Sequence, residues 1–396
     1  MARRPGLGLS RDNQRIFVAM ACNEGAFGIY TTLWPLYIAA LGATPPEIGL
    51  VMGFMGLARL LALLPSGLIA DRVPPRRLIV GGRSLTVAGM FLLALAQNWW
   101  QLIPAAMILT LGNVAFPSIS STIAESAEGD RERTRAFTMI YTVGPSITLL
   151  ATPALGGLIA DQVGLRAVFA VAAALTGVAV LAFGTITPRP VPAHDGPPAT
   201  FGEVLAIRPI ALIAALEFVT LFILSLGVTL VPNFLQDVHG INTGLIGLLG
   251  SFSAVGSIIL GIMISRLRPL QRPLAAVALS SATVALSLAL LSAGNHLAIF
   301  ALAYALRGGF SVAWSLFSAA YGEVAPRRLH ARTFALGELS AGLGFSSAPF
   351  LAGWLYDLAP VAPLLLALGL AVPLLAAILL VERALRRPRL AVAETV

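Results

Sequence analysis

Four ionisable residues lie near the middle of long apolar runs in this 396-residue chain: Glu24, Arg59, Glu217 and Arg307. A charge at the centre of a bilayer costs roughly 2.5 to 3.5 kcal/mol on insertion scales, so the set costs on the order of 10 kcal/mol unless it is paired or hydrated. The protonation of a carboxylate in such a place responds to burial, to a neighbouring Arg and to the entry of water or solute. Glu24 and Glu217 are therefore candidate proton carriers, with Arg59 and Arg307 as the charges that tune them. A blander alternative stays open: Glu24 with Arg59, and Glu217 with Arg307, are buried ion pairs that only hold helices together. Such pairs stabilise poorly compared with apolar packing.

The neighbours of these charges recur at helical spacing. Asn23, Glu24, Phe27, Tyr30, Thr31 and Trp34 share one face of a first helix, and Tyr304, Arg307, Ser311, Trp314 and Ser318 share one face of a tenth. Aromatic faces beside a few polar groups suit an amphipathic or drug-like solute better than a heavily hydroxylated sugar. Each lone aromatic also has the plainer reading of lipid or core packing. Arg83 lies about a turn and a half from a span end, close enough to snorkel, and Glu338 falls in the first turns of a helix, where an acid favours the positive end; both read as structural.

The elements that must carry these residues are membrane spans. The chain is 57% hydrophobic and 11% charged, with a mean hydropathy of +0.87, far from the roughly 25% charge of a soluble domain. About 20 apolar residues cross a bilayer core, and dividing the chain on that length yields twelve helices. They are expected near 16–41, 47–71, 78–96, 101–124, 137–160, 166–187, 209–235, 242–266, 272–293, 296–320, 334–357 and 361–381. The first run, preceded by a basic start, is too long for a cleaved leader and reads as a retained helix. Residues 188–208 are too rich in Pro and polar residues to span anything, so they read as a cytoplasmic linker between an amino-terminal six-helix bundle (1–187) and a carboxy-terminal bundle with a cytoplasmic tail (209–396).

All 26 basic residues are Arg. With these spans, 22 fall on one side, Arg59, Arg83 and Arg307 lie within spans, and only Arg166 is on the other side. By the positive-inside rule both termini are cytoplasmic, and the net charge of +8 reports topology. No nucleic-acid partner is expected, since no basic stretch belongs to a binding module. The single cysteine, Cys22, excludes an intrachain disulfide and a cysteine metal cluster.

Internal repeats complete the pattern. Gly67-Leu-Ile-Ala-Asp71 recurs as Gly157-Leu-Ile-Ala-Asp161, 90 residues later, at the ends of two helices that run in opposite directions. A longer period links the halves: Glu24 to Glu217 is 193 residues, Gly67 to Gly261 and Asn113 to Arg307 are 194, and Gly157 to Gly353 is 196. Nested inverted three-helix repeats inside two parallel halves account for both periods.

Gly67-Leu-Ile-Ala-Asp71-Arg72-Val-Pro-Pro-Arg76-Arg77 resembles the helix 2–3 loop motif of the major facilitator superfamily, Gly-x-x-x-Asp-Arg-x-Gly-Arg-Arg, with Pro74 and Pro75 replacing the usual Gly and first Arg. The resemblance covers almost the whole chain and implies an all-α integral membrane fold of two six-helix bundles. It implies a conformational latch of Gly67, Asp71, Arg72 and Arg76, with Glu125 as the acid near the end of helix 4. Pro153-Ala-Leu-Gly156-Gly157 is similar to part of a motif associated with antiporters, although close helix packing explains it as well. In that family helices 1, 4, 7 and 10 line a central cavity. The cavity set is then Asn23, Phe27, Tyr30, Thr31, Trp34, Asn113, Phe116, Thr220, Tyr304, Ser311 and Trp314. Asn113 stands where drug antiporters often carry a basic residue.

These readings lead us to expect a proton-coupled exporter of small amphipathic compounds, resembling the twelve-helix drug antiporters. It would be a monomer in the plasma or inner membrane, with a small-molecule substrate, protons and the lipid bilayer as partners. Proton-coupled uptake of a small organic anion, held by Arg59 or Arg307, and lipid flipping on the same fold are the alternatives. No metal, no cofactor and no enzymatic activity are expected, since no diphosphate, metal-ligand or phosphate-loop motif is found.

Overall fold

Each apolar run folds as a helix because backbone in hydrocarbon must satisfy its own polar groups. The computed structural model describes residues 8–70, 72–127, 129–187, 201–267, 272–326 and 329–393, and no strand occurs among them. The first rods are α1 (Arg11–Thr31 continued by Trp34–Ala40), α2 (Pro45–Ala70), α3 (Pro75–Leu95), α4 (Trp99–Ser126), α5 (Glu132–Gln162) and α6 (Leu165–Gly184). After a single turn at Phe201–Leu205 come α7 (Arg208–Asp237), α8 (Thr243–Arg266), α9 (Pro273–Ala293), α10 (Leu297–Val324), α11 (His330–Leu358) and α12 (Ala362–Ala393). Among the described residues, 10 helices are long and apolar enough to cross a membrane, and 11 if the bent α1 is one span. α11 has the length, 29 residues, but lies outside that set. Most of the linker, 188–200, lies outside the described residues. α12 continues to Ala393, where the sequence led us to expect an end near 381 and a tail.

Prolines account for the irregular turns, since each removes the donor for the carbonyl four residues earlier. α1 bends by 51° between Thr31 and Trp34, just before Pro35. α4 tightens into a 3-10 turn at Gly112–Ala115 before Pro117. α5 widens into a π turn at Met139–Val143, where the N–H of Gly144 reaches back five residues to the carbonyl of Met139, and Pro145 follows at once. α7 is interrupted at Thr229 and Leu230 before Pro232.

Contacts group the chain into two compact units, Met1–Ala43 with Leu57–Asp195 and Gly240–Ser251, and Thr44–Gly56 with Gly196–His239 and Phe252–Val396. In the first, α1 packs on α5 and α6, and α3 on α4 and α6. In the second, α7 packs on α11 and α12, and α9 on α10 and α12. The pairing recurs when six is added to each helix number, which is the spatial counterpart of the long sequence period. Glycine permits the tightest crossings: a Cβ on Gly156 of α5 would collide with the Ile29 carbonyl of α1, and one on Gly308 of α10 with the backbone of Ser253 and Ser257 in α8.

Helix hydroxyls mostly turn back on their own backbone. Thr122 donates to the Ser118 carbonyl at 2.6 Å, Thr176 to Ala172 at 2.9 Å, Thr229 to Ser225 at 2.6 Å and Ser346 to Gly342 at 2.6 Å. Each satisfies a buried O–H one turn away in its own helix.

Candidate functional site

In the first unit, Ser10 caps α1 by accepting from the Asn13 N–H, and its own N–H is bound by the Glu132 carboxylate at the start of α5. Asp12 accepts from the N–H and hydroxyl of Thr187 beyond α6. These bonds fix the amino-terminal end of α1, from which Glu24 stands between about three and four turns further along. The Glu24 carboxylate accepts from the Asn23 amide at 3.4 Å, and the cation whose field acts on it is Arg83 of α3. Arg83 is only 5% exposed and its Nε has no hydrogen-bond partner. The snorkelling expected of it does not occur. α3 meets α4 closely beside it, where a Cβ on Gly82 would touch Ala115 at 3.0 Å. Arg59, expected beside Glu24, is half-buried on α2.

Of the aromatic face of α1, Tyr30 and Trp34 are each 4% exposed and pack at 5.5 and 5.4 Å on Phe169 of α6, inside the first unit. Phe27 is 42% exposed and Thr31 is half-buried. Asn113 sits half-buried in the 3-10 turn of α4, and the exposed Phe116 ring lies 5.6 Å from Tyr141 on the π turn of α5. The Tyr141 hydroxyl shares a 2.9 Å hydrogen bond with Ser120.

In the second unit, Glu217 on α7 is 3% exposed and accepts a 2.7 Å hydrogen bond from the Tyr321 hydroxyl of α10. Gly337 of α11 makes room for that pair, because a Cβ there would lie 2.6 Å from the Tyr321 ring and 3.4 Å from the carboxylate. The field of Glu338 also reaches Glu217. Thr220, one turn along α7, is fully buried with its hydroxyl unpartnered.

Arg307 does not meet Glu217. It donates at 3.4 Å to the carbonyl of Val228, the group that Pro232 leaves without a helical donor, and its guanidinium lies 5.1 Å from the Tyr304 ring centre. Eleven residues separate Glu217 from Val228 on α7, about 16 Å along a helix. Tyr304 is fully buried, Ser311 is exposed with its hydroxyl on the Gly308 carbonyl, and Trp314 packs edge-on at 5.3 Å to Phe345. Tyr321 and Tyr141 were missed in the sequence. Tyr321 lies fourteen residues past Arg307, at the far end of α10, and its meeting with Glu217 depends on how helices rotate against one another.

Of the expected latch, Gly67 lies on α2 and Asp71 lies outside the described residues. Arg72 is exposed, as is Glu125 near the end of α4. Arg76 donates to the carbonyl of Gly184, where it caps the negative end of α6.

Long apolar helices in two repeated sets, each carrying a carboxylate in mid-helix, define a polytopic helical membrane protein. The chain belongs to the Major Facilitator Superfamily, whose sequence profile matches residues 16–321. It is a membrane transporter of that family and not an enzyme. It is 31% identical over 159 residues to the inner membrane transport protein YajR of Escherichia coli strain K12, covering 39% of this chain and 34% of that protein. It is 31% identical over 168 residues to the multidrug resistance protein MdtG of Serratia proteamaculans strain 568, covering 40% of each. A multi-drug resistance efflux pump PmrA homolog of Lactococcus lactis matches at 29% over 163 residues, covering 39% of each. The matched segment thus spans well under half the length of these relatives. Among solved structures, the nucleoside transporter NupG superposes with a TM-score of 0.77 at 15% identity, covering 94% of this chain and 99% of that one. The peptide transporter POT in complex with sulfate superposes at 0.76 with 17% identity, covering 98% and 96%. These likenesses show the fold.

Proposed function

We propose that this protein is a proton-coupled exporter of small amphipathic or drug-like compounds, working by alternating access. The observation that carries the reading is the Glu217 carboxylate, held at 3% exposure in an apolar unit with one phenol donor. A carboxylate there is costly unless its charge is exchanged in a working cycle. Glu24 is its counterpart in the first unit. Arg307 and Arg59 are the charges that set the surroundings, and Phe27, Asn113, Phe116, Ser311 and Trp314 are the partly accessible members of the substrate path. The matches to proteins named for multidrug resistance support efflux. In this reading the halves 1–187 and 209–396 move about the 188–208 linker, both termini face the cytoplasm, and the monomer works in the inner membrane with Asp71, Arg72 and Arg76 as its inner latch.

Purified protein in proteoliposomes, given an imposed pH gradient, should move ethidium against the proton flow. Glu217→Gln should reduce that flux at least about ten-fold. Unchanged flux in both Glu24→Gln and Glu217→Gln would remove these residues as carriers, and ethidium moving with the protons would assign uptake instead.

A further inference from the structure

The turn between α3 and α4 holds a cleft that the transport reading does not use. Its walls include Leu92, Leu95 and Ala96 at the end of α3, and Trp100, Gln101 and Ala105 at the start of α4. Ala96 and Ala105 are buried and form its back, whereas Leu95 and Trp100, each more than half exposed, form its rim. The two alanines make the room, since a longer side chain at either position would fill it. The cleft has a volume of about 280 Å³, below the roughly 300 to 1,000 Å³ of sites that enclose drug-sized solutes. A length of hydrocarbon chain fits such a space better than a whole solute does.

Its depth in the bilayer follows from the helix that carries it. The 21 residues of Pro75–Leu95 extend about 31 Å at 1.5 Å each, the thickness of the hydrocarbon layer. Leu92 therefore lies among lipid chains, and Trp99–Gln101 lie in the layer of ester groups and headgroups, where tryptophan concentrates. The cleft runs from one layer to the other. Its wall is a fixed surface, because the Tyr37 hydroxyl of α1 donates at 2.6 Å to the Leu93 carbonyl in the same turn of α3.

The rim is polar without charge. Residues 84–124 include no ionisable side chain. The Gln101 side-chain oxygen is engaged by the Gln97 N–H at 2.8 Å, which leaves its amide N–H groups as donors, and the Trp100 indole N–H is another. Neutral donors at the mouth of an apolar cleft match the ester carbonyls of a phospholipid, which stand where its chains begin.

We propose that this cleft binds one phospholipid from the leaflet on the side of the α3–α4 turn. The upper part of one acyl chain lies between α3 and α4, and its ester carbonyl accepts from Gln101 or Trp100. The site recognises the diacylglycerol body of the lipid and is blind to the charge of its headgroup.

Tryptophan emission of the full-length protein in detergent tests this, titrated with a phosphatidylcholine brominated on its acyl chains, which quenches on contact. The share that Trp100→Phe removes should be quenched with saturation, at a lipid fraction at least about ten-fold lower than the remaining emission requires. Unbrominated phosphatidylcholine and phosphatidylglycerol should relieve that quenching equally well. Ala96→Leu fills the cleft and should raise the half-saturating lipid fraction at least about ten-fold. If that variant cannot be recovered folded, Leu95→Gln decides, because a polar group at this exposed position leaves the packing alone and should weaken the site several-fold. Quenching of the Trp100 share that merely tracks the lipid fraction, or that is unchanged in the variant, overturns the proposal. Relief by phosphatidylglycerol alone would make this a headgroup site, and relief by ethidium a solute site; either result overturns it too.

Discussion

At the scale of single residues, each unit satisfies its buried acid differently. Glu217 relies on one hydroxyl, and Glu24 on an amide and the field of a guanidinium. Tyr321→Phe keeps the ring and deletes the donor, so the carboxylate is left with an unmet acceptor inside the second unit. The expected loss is about 1 to 3 kcal/mol, read as a lower unfolding temperature in detergent. A wild-type melting curve for that variant would mean that water or another group replaces the phenol. Gly337→Ala is expected to act on the same pair by a different route. Its methyl group would lie 2.6 Å from the Tyr321 ring, so the ring must shift and the 2.7 Å bond must lengthen. The positions of the acids were legible in the sequence, since a carboxylate inside an apolar run stands out at once. Their partners were not. Partner choice depends on the rotation of each helix about its axis, and a span that is apolar nearly all round carries little pattern to fix that rotation. Arg83 is the clearest case: counted along α3 it is near enough to the surface to reach water, yet it is buried among its neighbours.

Helices were predicted to within a few residues at most ends, because length and apolarity are the dominant constraints in a bilayer. Four prolines inside spans fall where helices depart from regularity, each in a different way, whereas Pro153 of α5 and Pro349 of α11 sit in continuous helix. Pro35 produces a bend, Pro117 a tightened turn, Pro145 a widened one and Pro232 an interruption. The outcome depends on what can serve the carbonyl that each proline leaves unbonded. At Pro232 that server is Arg307, which explains why the residue is a cation without being the partner of Glu217. Pro232→Ala restores an N–H opposite the Val228 carbonyl and so competes with Arg307 for it. The variant should fold with stability within about 1 kcal/mol of wild type, since one hydrogen bond replaces another. Its ethidium flux should fall several-fold as α7 stiffens, and an unaltered flux would show that the interruption has no part in transport.

For the molecule as a whole, the sequence period and the helix pairing agree. Adding six to each helix number converts the contacts of one unit into those of the other. The side of the membrane on which the ends lie follows from the arginine distribution, and the chain makes that testable with little engineering because Cys22 is its only cysteine. In a Cys22→Ser background, Gln97→Cys between α3 and α4 should react with an impermeant maleimide added to intact cells, and Arg383→Cys near the end of α12 should react only after the cells are opened. The reverse pattern would invert the topology. It would also place the basic loops outside.

The hydroxyls that bond back onto their own helices bear on how such a protein can move. A serine or threonine that donates to a neighbouring rod acts as a rivet, and sliding one rod past the other must shear it. Here Thr176, Thr229 and Ser346 spend their bonds within their own helices. Where hydroxyls are spent in this way the faces between rods carry fewer cross-links, so displacement along them trades one set of dispersion contacts for another at little enthalpic cost. Low friction of this kind is what the proposed alternation between access states requires in a viscous lipid medium.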